Sequence, residues 1–151
     1  MRRWARLKDW APAIVWAGVI SSLSTDTFSA EHTSIFLIPL LRWLFPRASD
    51  STIFLMHALI RKSAHFVEYF IFSLFLMHGL RGEERGWKLR SALWAVAIAA
   101  GYAGLDEFHQ SFVASRTASP WDALLDTTGA AVAQLMLWFW RATKQRVAAN
   151  A

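Results

Sequence analysis

Three short runs in this chain carry ionisable side chains at helical spacing. Lys62, His65, Glu68 and Tyr69 recur at intervals of three and four residues, so a helix would present them on one broad face. Asp106, Glu107, His109 and Gln110 form a second group, followed by Arg116. On a helix Asp106, His109 and Gln110 share a face, while Glu107 points about 100° away. Asp122 and Asp126, one turn apart, make the third group.

These residue types suit proton transfer and anion binding. Glu68, Glu107, His65 and His109 are the candidate general acids or bases. Lys62 and Arg116 suit a phosphate or carboxylate. Tyr69, Asp106, Gln110 and Asp126 complete the candidate ligand-binding set. His65, Glu68, Glu107, His109 and Asp126 also offer nitrogen and oxygen donors, but no His-Glu-x-x-His spacing organises them, so no metal is expected. The chain contains no cysteine and no Gly-x-Ser-x-Gly elbow, which removes thiolate chemistry and that nucleophile setting, and no cofactor is expected.

Each group has a plainer reading. Asp122 follows Ser119 and Pro120, a helix-start pattern in which an early acid caps the first turn. Arg61 and Lys62 can snorkel to headgroups. His65 and Glu68 can serve as a polar pair holding helices together. Asp126 resists such a reading, because a carboxylate inside an apolar segment is costly unless paired or protonated. His32, His57 and His78 lack carboxylate neighbours at helical spacing and are read as structural.

The elements that must position these groups are apolar helices. Hydrophobic residues make up 55% of the 151-residue chain, with nine tryptophans and eleven phenylalanines, above the roughly 45–50% usual for soluble domains. One domain spanning 1–151 is expected. The reading is an all-α integral membrane bundle of about four transmembrane helices, near 10–24, 64–80, 91–113 and 120–140. Two shorter apolar stretches, Ser34 to Phe45 and Ser51 to Ile60, are read as interfacial or re-entrant helices between the first and second spans. Gly101 and Gly104 in the third span, and Gly129 with Ala133 in the fourth, are read as small-residue patches for close helix approach.

Most uncharged runs fall short of the roughly 20 residues a span needs. The shortfall has a pattern: the polar groups enter every segment from the same side. The N-terminus holds four Lys and Arg, the 81–90 loop four and the C-terminal tail three, against five on the opposite side. By the positive-inside rule both termini are expected in the cytoplasm, in a multi-pass protein of the inner cell membrane, with the polar cluster near the outer leaflet. The net charge of +5 is spread in short blocks between apolar runs, so no nucleic-acid partner is expected. A soluble helical bundle is the alternative that the short apolar runs leave open.

The runs Arg61-Lys62-Ser63-Ala64-His65-Phe66-Val67-Glu68-Tyr69 and Leu105-Asp106-Glu107-Phe108-His109-Gln110, then Arg116, Asp122, Asp126 and Gly129, resemble the VanZ-like family of membrane proteins. The likeness extends from Trp16 and Ser21-Ser22 to the Gly129 region. The family's characteristic Lys, His, Glu and Tyr fall on Lys62, His65, Glu68 and Tyr69. Its acidic block falls on Asp106, Glu107, His109 and Gln110, and its following Arg on Arg116. Asp126 stands where the family often has Asn or Asp, and Ala133 where a second glycine is frequent. The resemblance implies a membrane protein linked to resistance to teicoplanin, a glycopeptide carrying a fatty chain.

Together these readings lead to a protein that binds or modifies an anionic amphiphile at the outer leaflet, a membrane lipid or lipid-linked cell-wall precursor. In an enzymatic version Glu107 or His109 is the acid or base and Lys62 with Arg116 the anion clamp. The alternative is a scaffold whose polar cluster only staples the helices.

Overall fold

The computed structural model describes residues 2–25, 29–82, 86–112 and 119–149. All regular structure among them is helical: α1 (Arg2–Leu23), α2 (Ala30–Leu44), α3 (Asp50–Arg81), α4 (Leu89–Gln110) and α5 (Pro120–Ala149).

Local chemistry explains most of the boundaries. The Ser29 side chain accepts the His32 backbone N–H to start α2, which ends at Phe45, just before Pro46. Ser49 does the same for α3 through the Thr52 N–H, with Asp50 in the first turn and Arg81 in the last. Gly82, at φ 55°, closes α3 in a backbone region that favours glycine. At the start of α5, Pro120 takes the first helical position and the Ser119 carbonyl accepts the Asp122 N–H at 2.9 Å.

Residues 51–60 are not a separate interfacial helix but the first part of α3, which runs unbroken for 32 residues. No Gly or Pro lies between Asp50 and Phe75 to interrupt it, and Arg61 and Lys62 are good helix formers. At about 1.5 Å per residue α3 is about 48 Å long. Among the described residues it is the one helix long and apolar enough, by length and composition, to cross a membrane.

Around α3 the other four helices assemble, with its longest contact against α5, and α4 packs on both. The core is built of small side chains. Ala92, Ala95, Ala99 and Ala103 of α4, and Ala130 and Ala133 of α5, are buried, and Ala95, Ala99, Ala103 and Ala130 cluster with Tyr69, Phe72, Leu76 and Met77 of α3 and Ile20 of α1. Intervals of three and four along α4 make one continuous buried stripe. A Cβ on Gly129 would collide with the Phe66 backbone carbonyl, so α3 and α5 touch main chain to main chain there. Gly101 and Gly104, by contrast, face open space; the alanine stripe, not these glycines, brings α4 close.

Polar bonds join the helices inside. Gln134 donates to the Ser73 hydroxyl and carbonyl at 2.8 and 3.0 Å, linking α5 to α3. Trp16 of α1 donates to the Glu68 carbonyl at 2.9 Å, and Tyr102 of α4 to the Ala17 carbonyl at 2.8 Å. The outer surface is the inverse of the core: Phe36, Trp43, Phe54, Leu93, Trp94, Phe108, Trp121 and Phe139 are among many large apolar side chains that face outward.

Candidate functional site

The polar groups of the sequence meet where α3, α4 and α5 pack, near the end of α1. Lys62 reaches across from α3 to pair with Asp122 of α5. Asp122 therefore pairs across a helix interface, beyond the capping role its position suggests. One turn further along both helices, His65 Nδ1 lies 3.8 Å from Asp126 Oδ1. The two pairs follow from the parallel stepping of 62, 65 and 69 on α3 against 122 and 126 on α5.

The second group attaches to other partners. Asp106 Oδ2 accepts the Ser24 hydroxyl at 2.7 Å and the Gln110 amide at 2.9 Å, so it ties α4 to the end of α1. Glu107 Oε2 accepts the Ser119 backbone N–H at 2.8 Å, just ahead of α5. Asp106, Glu107 and Gln110 are all buried.

His109 departs from its expected place. It shares a face with Asp106 only at the rim, lies exposed, and lines an open pocket of about 200 Å³ with Ser21, Tyr102, Leu105 and Asp106. Glu107, expected to point away, takes the inner position because the buried stripe continues from Ala103 through Asp106 and Glu107 to Gln110. Arg116 lies outside the described residues.

Tyr69 and Asp126 form the deepest part of the cluster. The residues are fully buried, and the Tyr69 hydroxyl, both Asp126 carboxylate oxygens and His65 Nδ1 have no hydrogen-bond partner among the described residues. Asp106 lies within electrostatic range of Tyr69 and Asp126, and Asp122 and Asp126 within that of Glu107. Buried polar atoms left unpaired cost roughly 1–3 kcal/mol each, so a concentration of them marks a place built for something other than packing.

A second opening adjoins this centre. The end of α1, α2 and α3 bound a cleft of about 170 Å³ lined by the apolar Leu23, Leu37, Ile60 and Ala64. The polar Thr33, Arg61, His65 and Glu68 complete the lining. Arg61 Nη1 donates to the Thr33 hydroxyl at 3.1 Å, and that hydroxyl lies 3.4 Å from Nε2 of the buried His57. Arg61 is thereby held at the α2–α3 junction. No group of three His, Asp or Glu side chains able to hold a metal occurs among the described residues.

Sequence reasoning passed over Ser24, Thr33 and a functional place for Arg61. Ser24 closes the first apolar run at its polar end, which was a usable signal. Nothing in the spacing of Thr33 or Arg61 says that α2 folds back against α3.

The model of the VanZ/LLP1 family matches residues 10–141, a stretch that contains every one of these groups. No curated protein and no solved structure matches the chain.

Proposed function

This chain belongs to the VanZ/LLP1 family, and from that premise we propose that it is a four-span membrane protein whose polar cleft binds an anionic amphiphile. The proposed spans are within α1, α3, α4 and α5 of a single domain, with α2 at the outer interface and both termini in the cytoplasm. The inverted distribution of polarity supports this reading. Asp126, Gln134 and Ser73 are inside with the alanines and a few larger apolar residues, while many Phe, Leu and Trp side chains, such as Phe36, Leu93 and Trp121, are outside, an arrangement that costs in water and fits hydrocarbon. The 22 residues of α1 and of α4, and the 30 of α5, reach the roughly 20 needed to cross.

The observation that carries the ligand class is the cleft bounded by α1, α2 and α3. Its lining combines four apolar side chains with Thr33, Arg61, His65 and Glu68. Such a mixed lining fits a ligand with both apolar and charged parts. A lipid or lipid-linked cell-wall precursor has that chemistry, and so does teicoplanin with its fatty chain. Lys62, Tyr69, Asp106, Gln110, Arg116 and Asp126 stand as further ligand-binding groups, and Glu68, Glu107, His109 and His65 as the acid or base residues of an enzymatic version.

Binding of a fluorescent phosphatidylglycerol to the purified chain in neutral detergent tests the reading. We expect tighter binding than for phosphatidylcholine, and a loss of about tenfold, worth about 1.4 kcal/mol, in Arg61→Ala. Equal affinity for the two lipids, or indifference to Arg61→Ala, would refute it. The family link is checked in a sensitive Gram-positive host, where teicoplanin protection should exceed vancomycin protection and fall in a well-expressed Glu107→Gln.

The rival scaffold reading has its own support, since Lys62–Asp122, Ser24–Asp106 and Ser73–Gln134 all tie helices together. A staple, however, satisfies its polar atoms. The Tyr69 hydroxyl is buried without a hydrogen-bond partner among the described residues, which favours a ligand.

A further inference from the structure

We propose that Asp126 and His65 form a dyad in which Asp126 is a positioning residue, fixing the imidazole so that its Nε2 is the acceptor presented to the cleft between α2 and α3. The geometry rests on depth. The Asp126 side chain is 1% exposed and that of His65 20%. Of the His65 ring nitrogens, it is Nδ1 that is buried without a hydrogen bond and faces Asp126, at 3.8 Å.

A carboxylate so deep is expensive unless a donor meets it. Among the described residues the facing imidazole nitrogen is the donor in place to do so, and closing the gap by about 0.9 Å would give an ordinary N–H···O bond near 2.9 Å. Only one nitrogen of a neutral imidazole carries the proton, and the bond that one makes sets the state of the other. With the proton on Nδ1 and turned to Asp126, Nε2 keeps its lone pair. His65 also lines the cleft that holds Arg61 and Glu68.

Among the described residues, the charged groups around the ring are Asp126 from α5, and Arg61 and Glu68 from α3 itself. An Nε2 acceptor beside a guanidinium selects a ligand that is both anionic and a proton donor, such as an acid phosphate or a phosphate ester bearing a hydroxyl. This assignment of ligand class rests on the cleft reading above; the dyad itself does not.

Imidazole nitrogen NMR on the full chain in detergent, with His65→Asn to assign the signal, reads the tautomer directly. At a pH where the ring is neutral, wild type should carry its proton on Nδ1. Asp126→Ala should move the proton to Nε2, and Asp126→Asn, whose carboxamide oxygen still accepts, should restore it to Nδ1. A proton on Nε2 in wild type, or a tautomer unchanged in a folded Asp126→Ala, overturns the dyad. Wild type alone decides the matter should Asp126→Ala fail to fold. Dioctanoyl phosphatidic acid should then shift the Nε2 resonance more than that of Nδ1. An Nδ1 tautomer with no response to that lipid sinks the cleft as its binding place and leaves the dyad standing.

Discussion

Glu107 and Asp122 show how differently two carboxylates of one cluster contribute. Glu107 is 8% exposed and accepts a backbone N–H that leads into α5. Glu107→Ala would leave that amide without its acceptor, and thermal unfolding in detergent should show a loss of about 1–3 kcal/mol. Glu107→Gln retains an acceptor oxygen and should lose less than half as much. Equal losses would mean that charge, not the hydrogen bond, is what Glu107 contributes. The Lys62–Asp122 pair lies partly in solvent, with side chains 54% and 30% exposed. Asp122→Asn should therefore change stability by less than about 1 kcal/mol in the same assay. The sequence made both residues visible as candidates, because spacing reveals which side chains share a helix face. It could not reveal that Lys62 meets Asp122, that Ser24 meets Asp106, or that His109 is turned outward, because those depend on how one helix is rotated against another.

At the scale of the elements, close packing of α3 on α5 depends on a single missing methyl group. Gly129 has the Phe66 carbonyl where its Cβ would sit. Gly129→Ala must push the two helices apart or bend one of them, and should cost about 1–3 kcal/mol in unfolding measurements. It should also disturb His65 and Asp126, which face each other across the same interface. Gly101→Ala is the contrast, since nothing lies within 4 Å of the added atom. It should be neutral or stabilise α4 by up to about 1 kcal/mol through helix propensity. If the two substitutions behaved alike, close approach would not be the reason for Gly129. The helices themselves were largely legible: Ser119-Pro120 marked the start of α5, and the apolar runs fell inside α1, α3, α4 and α5. The join between residues 51–60 and the rest of α3 was not, because Arg61 and Lys62 break the hydropathy without breaking the helix. Gly101 and Gly104 misled for a related reason, since small size permits close approach but does not say which face the neighbour occupies.

For the molecule as a whole, the distribution of polarity bears most on the proposed membrane reading. A soluble bundle of this size hides its large apolar side chains, whereas here alanines and hydrogen-bonding groups are inside and Phe36, Trp43, Trp94, Trp121 and Phe139 are outside. The length of α3 adds a constraint. A helix of about 48 Å exceeds a hydrocarbon layer of about 30 Å, so in the proposed membrane setting α3 would tilt or project, and the proposed orientation would put its Asp50 end outside. The chain has no natural cysteine, so single cysteines report sidedness without background. Arg47→Cys, in the exposed turn between α2 and α3, should react with a membrane-impermeant maleimide on intact cells. Lys144→Cys, near the end of α5, should react only after the membrane is opened. Both residues reacting from outside would contradict the three proposed spans between them, in α3, α4 and α5, and the shared cytoplasmic termini. The reverse pattern would invert the protein, and would put the cleft, with Arg61 and the Asp126–His65 pair, on the cytoplasmic leaflet. The ligand would then have to be sought among lipids of that side.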